Sequence, residues 1–176
     1  MKLIILTLEC IMCVCTAFAQ KDTIRLKKTD EEKRVIVTDR PPQAVYFQIG
    51  GSAPILSVNY DRRFSKRLDG AGFAAGVGFW GGTGVAIISV PASLNYLFGR
   101  KSHFIEVAGG ATFITGSASD IFDDTKSTES GIIYHLNTGY RYQPATGGFF
   151  FRGGISPLFY KKDYVTSYYI GFGHNF

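Results

Sequence analysis

Cysteine is missing from the chain after residue 15, and glycine is missing before residue 50. The three cysteines, Cys10, Cys13 and Cys15, sit in an N-terminal apolar run, whereas all 21 glycines lie in the last three-quarters of the chain. Beyond that run there is no thiol, so a disulfide framework, thiolate catalysis and a soft-metal centre are all excluded there. His103, His135 and His174 are left with carboxylates as the only metal ligands, and no two of them are spaced as a ligand pair. A phosphate-cradling glycine loop is also lacking, and no C-x-x-C occurs after residue 19. Charge is sparse at 19% of residues, while aromatic content is high at 15%. The chain of 176 residues therefore joins unlike parts, and its average composition describes none of them.

The first part, residues 1–19, reads MKLIILTLECIMCVCTAFA. Lys2, an apolar run and Ala17-Phe18-Ala19 form the charged, hydrophobic and small-residue regions of a secretory signal peptide, cut before Gln20. The run is short for an anchor helix of about 20 residues. None of the cysteines follows the small apolar residues that a lipoprotein signal requires. Lys2 and Glu9 cancel, so cleavage leaves the formal charge at +5. For an exported chain, acidic lipid headgroups are a better counter-charge than nucleic acid, and we expect no nucleic-acid partner.

Residues 20–43 carry seven basic and five acidic residues, no glycine and no aromatic, and they lead through Pro41-Pro42. That composition predicts a solvated periplasmic leader or linker, with a brief strand at 35–38.

From Ala44 the pattern changes to runs of about ten residues with a period of two, separated by turn clusters. Eight such segments follow: 44–51, 55–64, 72–80, 85–98, 103–115, 132–142, 149–158 and 167–176. Each has one apolar face, such as Phe73, Ala75, Val77, Phe79 or Ile105, Val107, Ala111, Phe113. The opposite face holds glycine, alanine and polar residues. Arg62 is the one charge on the apolar side, next to a turn.

Period alone does not decide which face meets water, but composition does. A soluble lipocalin-like barrel would turn its apolar face inward and its charges outward. Here the apolar face is rimmed near strand ends by Phe64, Phe98, Tyr140, Tyr142, Phe149 and Phe176. The other face has the small residues that a narrow interior needs. An apolar exterior with aromatic girdles is what lipid demands, and closure removes unpaired edges. The sequence thus predicts an all-β fold, an eight-stranded antiparallel up-and-down transmembrane β-barrel over residues 44–176. With both termini periplasmic, the inner turns are 65–70, 99–102 and 144–148. The outer loops are 52–54, 81–84, 116–130 and 157–165, and the two longest lie on one side.

The export signal, the eight lipid-facing segments and the ending Tyr168-x-Ile170-x-Phe172-x-His174-x-Phe176 resemble the OmpA/OmpX-like class of small Gram-negative outer-membrane barrels. His174 stands where that class usually has an apolar residue. The resemblance implies residence in the cell outer membrane among lipids and lipopolysaccharide. It also implies that Tyr168, Ile170, Phe172 and Phe176 form the signal read by the barrel assembly machinery. It transfers no activity.

Parity puts five charged residues on the inner face, Asp61, Arg63, Glu106, Arg141 and Arg152, all toward the periplasmic end. Glu106, Arg141 and Arg152 fall on three consecutive segments at similar heights, which predicts a bridge from Glu106 to one or both arginines. Such charges are what a filled eight-stranded lumen needs; a proton or ion path is the functional alternative. Pro91 lies inside the fourth segment and predicts a bulge or kink.

Catalytic candidates are thin. A lipid A deacylase of serine-hydrolase type needs an outward His-x-Ser pair, whereas His135-Leu136-Asn137 lacks the serine and faces inward. Asp120, Asp123, Asp124 and Glu129 offer oxygen ligands for Ca²⁺ without a calcium-loop spacing. Lys161, Lys162, Tyr160, Tyr164 and Tyr168 are candidates to touch lipopolysaccharide phosphates or an envelope protein partner, against which a plain snorkelling interfacial girdle is the stronger reading. The expectation is a non-enzymatic barrel in envelope structure or surface interaction, with no cofactor and no metal. A lipid A-modifying enzyme and a narrow ion channel are the alternatives.

Overall fold

Strands with one face for lipid and one for a narrow interior can satisfy every backbone group only by closing on themselves. The computed structural model, which describes residues 36–53, 55–82, 85–119 and 126–176, does this. Eight strands follow in chain order: β1 (Gln43–Gly50), β2 (Leu56–Arg63), β3 (Gly70–Gly82), β4 (Val85–Arg100), β5 (His103–Ser119), β6 (Lys126–Tyr142), β7 (Gly148–Tyr160) and β8 (Asp163–Asn175). Each pairs antiparallel with its neighbour, and β8 returns to β1 to close an eight-stranded barrel. The seam runs from Ala44–Asn175 to Gly50–Tyr169. It is extended by reciprocal backbone bonds between Gln43 and Phe176, at 3.1 and 2.9 Å.

The alternation resolves as an apolar outside. Phe47, Val58, Val77, Leu94, Ile105 and Leu136 are exposed on the outer face, while Gln48, Asn59, Asn95, Thr112 and Asn137 are buried within. An outer surface of this kind is stable only in hydrocarbon, so the barrel is a membrane-spanning one. A belt of aromatic contacts rims one end: Tyr96–Phe98, Tyr142–Phe149, Phe151–Phe172 and His174–Phe176. His103 joins it through its Nδ1, 2.6 Å from the Tyr140 hydroxyl. Phe159 and Tyr164 pack together at the other end.

Three expectations need correction. The loops placed at 116–130 and 157–165 are largely strand: β5 continues to Ser119, β6 starts at Lys126, and β7 and β8 are joined by the two-residue turn Lys161-Lys162. Lys161 takes a φ of 53° there, and Lys101 a φ of 59° in the matching β4–β5 turn. Pro91 makes no bulge. The β3–β4 register is the same on both sides of it, from Ala75–Ala92 to Gly78–Ser89, with pairing interrupted only between those rungs. Pro91 stays paired with Thr112 on β5. Pro157 repeats the arrangement: β6–β7 pairing lapses between His135–Leu158 and Thr138–Ile155, while Pro157 pairs with Thr166. A missing N–H costs a ladder bond on one side only.

The end of the polar leader is not a free tail. Ile36 packs on the buried cluster Leu68, Leu97 and Phe104 at the aromatic-belt end of the barrel, together with Ala145. Val37 bridges to Arg67, and Thr38 N donates to the Lys66 carbonyl at 2.8 Å. The signal segment 1–19 and the leader up to residue 35 lie outside the described residues, as do Asp120, Asp123 and Asp124.

Candidate functional site: the barrel lumen

Next to the Leu68–Leu97–Phe104 cluster, the inward side chains form a layer of ion pairs. Asp61 and Arg63 come from β2, Asn95 from β4, Glu106 from β5, Arg141 from β6 and Arg152 from β7. The side chains of the two carboxylates, Arg63 and Arg141 have no exposure, and that of Arg152 is 3% exposed. Arg141 is the hub. Its Nη1 and Nη2 donate to the two oxygens of Asp61, both at 3.0 Å. Its Nε and Nη2 donate to those of Glu106 at 3.0 and 2.7 Å. Asp61 also accepts from Arg63 at 2.8 Å and from Asn95 Nδ2 at 2.6 Å, and Arg63 in turn donates to Asn95 Oδ1. Arg152 approaches Glu106 at 3.2 Å. All five charged residues named from the sequence therefore meet in one cluster. Bidentate guanidinium–carboxylate geometry is the strong form of such pairing.

An aromatic layer, outside the residues named from the sequence, covers the arginines. Tyr46 of β1 stacks on Phe150 of β7 at 5.0 Å. Arg152 donates to the Tyr46 hydroxyl at 2.6 Å and lies over the rings of Tyr46 and Tyr169. Arg141 lies over Phe150. Guanidinium faces suit aromatic faces where water is excluded. The available signal was parity: Tyr46, Phe150 and Tyr169 all share the inner register with charged or small residues.

Further along, the β1–β2 turn bends inward. Ala53 is 1% exposed, and the Ser52 carbonyl accepts from Thr112 Oγ1 at 2.7 Å, across the barrel on β5. Gly51 N donates to Ser167 Oγ at 3.1 Å. Gly51 has a φ of 75°, and a Cβ there would fall 2.8 Å from Tyr169 Cβ, so glycine is required at this crossing. Thr112 also contacts His135 Nδ1 at 3.2 Å. Since the threonine proton goes to Ser52, His135 must donate through Nδ1, which leaves Nε2 as a bare acceptor. His135 is thus buried inside the wall, 2% exposed, away from any lipid substrate.

Above this layer the inner face turns apolar. A cavity of about 250 Å³ at the β5–β6 end is lined by Ile87, Ile114, Ile133, Gly116, Gly131 and Tyr160, with Glu129 and Ser130 at its edge. Lys161 Nζ lies 5.2 Å over the Tyr160 ring. A second cavity, of about 330 Å³, opens at the aromatic-belt end between residues 38–42, the β6–β7 turn and Phe176. Among the described residues no three His, Cys, Asp or Glu side chains converge as a metal site would require.

Comparison with solved structures agrees with this geometry. The N-terminal β-barrel domain of Pseudomonas aeruginosa OprF aligns with a TM-score of 0.57 at 13% identity, covering 80% of this chain and all of that one. The chain has the fold of the small outer-membrane barrels. Neisserial surface protein A aligns with a TM-score of 0.48 at 16% identity, over 77% of this chain and 94% of that one. Ail, the attachment invasion locus protein of Yersinia pestis, aligns at 0.48 and 11%, over 77% and 97%. Neither a protein-family model nor a curated protein sequence matches the chain.

Proposed function

We propose that this protein is a non-enzymatic outer-membrane barrel with a closed lumen, serving envelope structure or the binding of a partner at its ends. The observation that carries this reading is the position of Arg141, which ties β6 to Asp61 on β2 and to Glu106 on β5 and so spans the interior. The inward β1–β2 turn and the Leu68–Leu97–Phe104 cluster lie on either side of that span. An eight-stranded wall leaves room for side chains and little else. The cluster's two carboxylates are committed to arginines, so neither has the freedom of a general base. His135, the nearest approach to a catalytic imidazole, is sealed inside.

In this reading residues 1–19 export the chain, residues 20–43 lead periplasmically into the barrel, and both termini stay in the periplasm. Phe176, Phe172, Ile170 and Tyr168 point outward along the closing strand, where an assembly machine would meet them. Lys161, Lys162 and the exposed Tyr164 and Tyr168 face lipopolysaccharide at the opposite rim, while Tyr160 turns toward the cavity. Two measurements test the assignment. In planar bilayers the refolded chain is expected to give no steady single-channel current; discrete openings would favour a narrow channel. Deleting the gene is expected to leave the lipid A mass profile unchanged; a shift by an acyl or phosphate group would favour a lipid-modifying enzyme.

A further inference from the structure

The aromatic-belt end of the barrel is charged on one side only. Residues 142–151 and 172–176, at the ends of β6, β7 and β8, include no Lys, Arg, Asp or Glu. That side offers lipid the rings of Tyr142, Phe149, Phe151, Phe172 and Phe176 and no charge. The ends of β2 to β5 differ. Arg62, Lys66, Arg67, Arg100 and Lys101 are all exposed there. Asp69, the one carboxylate in residues 62–70 and 98–103, is committed to Arg67 by bonds of 3.0 and 2.7 Å. The other four cations form no ion pair among the described residues. In the leader, Asp39 and Arg40 cancel.

Topology brings the four together. β3 pairs with β4 as far as Gly70–Leu97, so the β2–β3 turn lies beside the end of β4 and the β4–β5 turn that follows it. Arg62 alternates with Tyr60 and Phe64 on the lipid-facing side of β2, where Phe73 packs against both rings. Arg100 follows Tyr96 and Phe98 on the same side of β4 and pairs with His103. Two arginines thus leave the wall among belt aromatics, which mark the headgroup boundary. Lys66 and Lys101 stand in the turns beyond them. Long cationic side chains lie along apolar surface and put their charge in the headgroup layer. A partner in water would meet the lysines but not arginines on the lipid-facing register.

We propose that this sector gathers anionic phospholipids of the inner leaflet around Arg62, Lys66, Arg100 and Lys101. The leaflet rests on the reading that both termini are periplasmic; the lipid chemistry does not. A zwitterionic headgroup brings an ammonium that the four cations repel, whereas phosphatidylglycerol brings negative charge alone. The attraction is that of a charged surface, so it needs no pocket, and each cation adds roughly a fivefold change in lipid preference. It weakens in salt.

Trp80 is the only tryptophan and lies near the other end of β3, so it is replaced and a reporter is placed on each side of the rim. W80F/F98W reports the charged side and W80F/F149W the neutral one; Phe98 and Phe149 are 55% and 58% exposed on the outer face. The refolded chains are placed in mixed phosphatidylglycerol–phosphatidylcholine vesicles in which one lipid or the other carries bromine, which quenches tryptophan on contact. At F98W, phosphatidylglycerol is expected to be preferred roughly fivefold or more, falling with salt, and at F149W the two lipids are expected to be near parity. Adding R100Q/K101Q is expected to remove most of the preference while the barrel still folds. Should F98W fail to fold, Y96W serves as the reporter. Equal preferences at the two reporters would overturn the proposal, as would a preference at F98W that survives R62Q/K66Q/R100Q/K101Q. The leaflet is read separately, by labelling S102C with an impermeant thiol reagent. Reaction only after the outer membrane is opened supports the inner leaflet; reaction in intact cells would overturn that assignment and leave the lipid preference standing.

Discussion

Arg141 on β6 grips both oxygens of Asp61 on β2, four strands away around the wall, through two bonds of 3.0 Å. No backbone ladder joins these strands. The pair therefore ties opposite sides of the barrel by side chains alone, and its loss falls on the closed state as a whole.

Replacing Arg141 with alanine strands Asp61 and Glu106 in the interior with fewer partners. Removing one member of a buried pair typically costs about 3–5 kcal/mol. Urea unfolding of R141A in micelles is expected to show a loss of that order. A midpoint equal to that of the wild type would mean that the cluster contributes nothing to the fold.

The outer face makes a prediction of a different kind. Val77 is 58% exposed near the middle of β3, facing outward opposite Val58. In lipid, V77R is expected to cost about 2–4 kcal/mol, measured as reversible unfolding from vesicles. If that face met water, the arginine would be nearly neutral.

Closure depends on bare backbone at the seam. A Cβ on Gly173 would lie 2.0 Å from the Val45 carbonyl oxygen and 2.5 Å from Tyr46 Cα. Crowding of this kind usually costs about 1–3 kcal/mol. G173A is expected to lower the urea midpoint and to speed amide exchange along β1 and β8. A Cβ at Gly148 would meet nothing within 4 Å, but its φ of 109° makes it a poor control, so Gly116, where a Cβ would make ordinary contact with Ile87, serves instead.

Thr112 holds the inward turn by one hydrogen bond to Ser52. T112V keeps the shape and removes the donor, a change worth about 1 kcal/mol. Amide exchange at Gly51 and Ser52 is expected to rise while the strands stay protected. Unchanged exchange would mean that Ala53, packed in the lumen, holds the turn unaided.

Strand count, order and facing were legible because a period of two assigns every residue to a side, and because lipid and a narrow interior select opposite compositions. Parity likewise put Asp61, Arg63, Glu106, Arg141 and Arg152 on one side. The upper halves of β5 and β6 were harder. Ile114 and Ile133 are apolar on the inner register beside apolar outer neighbours, and beyond them Gly116, Ser117, Thr128 and Ser130 are polar or small on both faces. Contrast between faces vanishes there, so strand read as loop. The inward turn at 51–53 gave no signal, since three small residues suit an outer hairpin equally well. Pro91 suggests a bulge or kink because a proline must lose a bond; which neighbour loses it depends on a register that only pairing reveals.

The central claim is a closed, lipid-facing barrel. Its most direct test is the mobility of the refolded chain in dodecyl sulfate gels, unboiled against boiled, because closed membrane barrels keep their fold in that detergent until heated. Two bands are predicted, with the unboiled form shifted, and the shift is predicted to disappear after heating. A single band at one position, from a chain that also stays soluble without detergent, would contradict the account and place the apolar face inside.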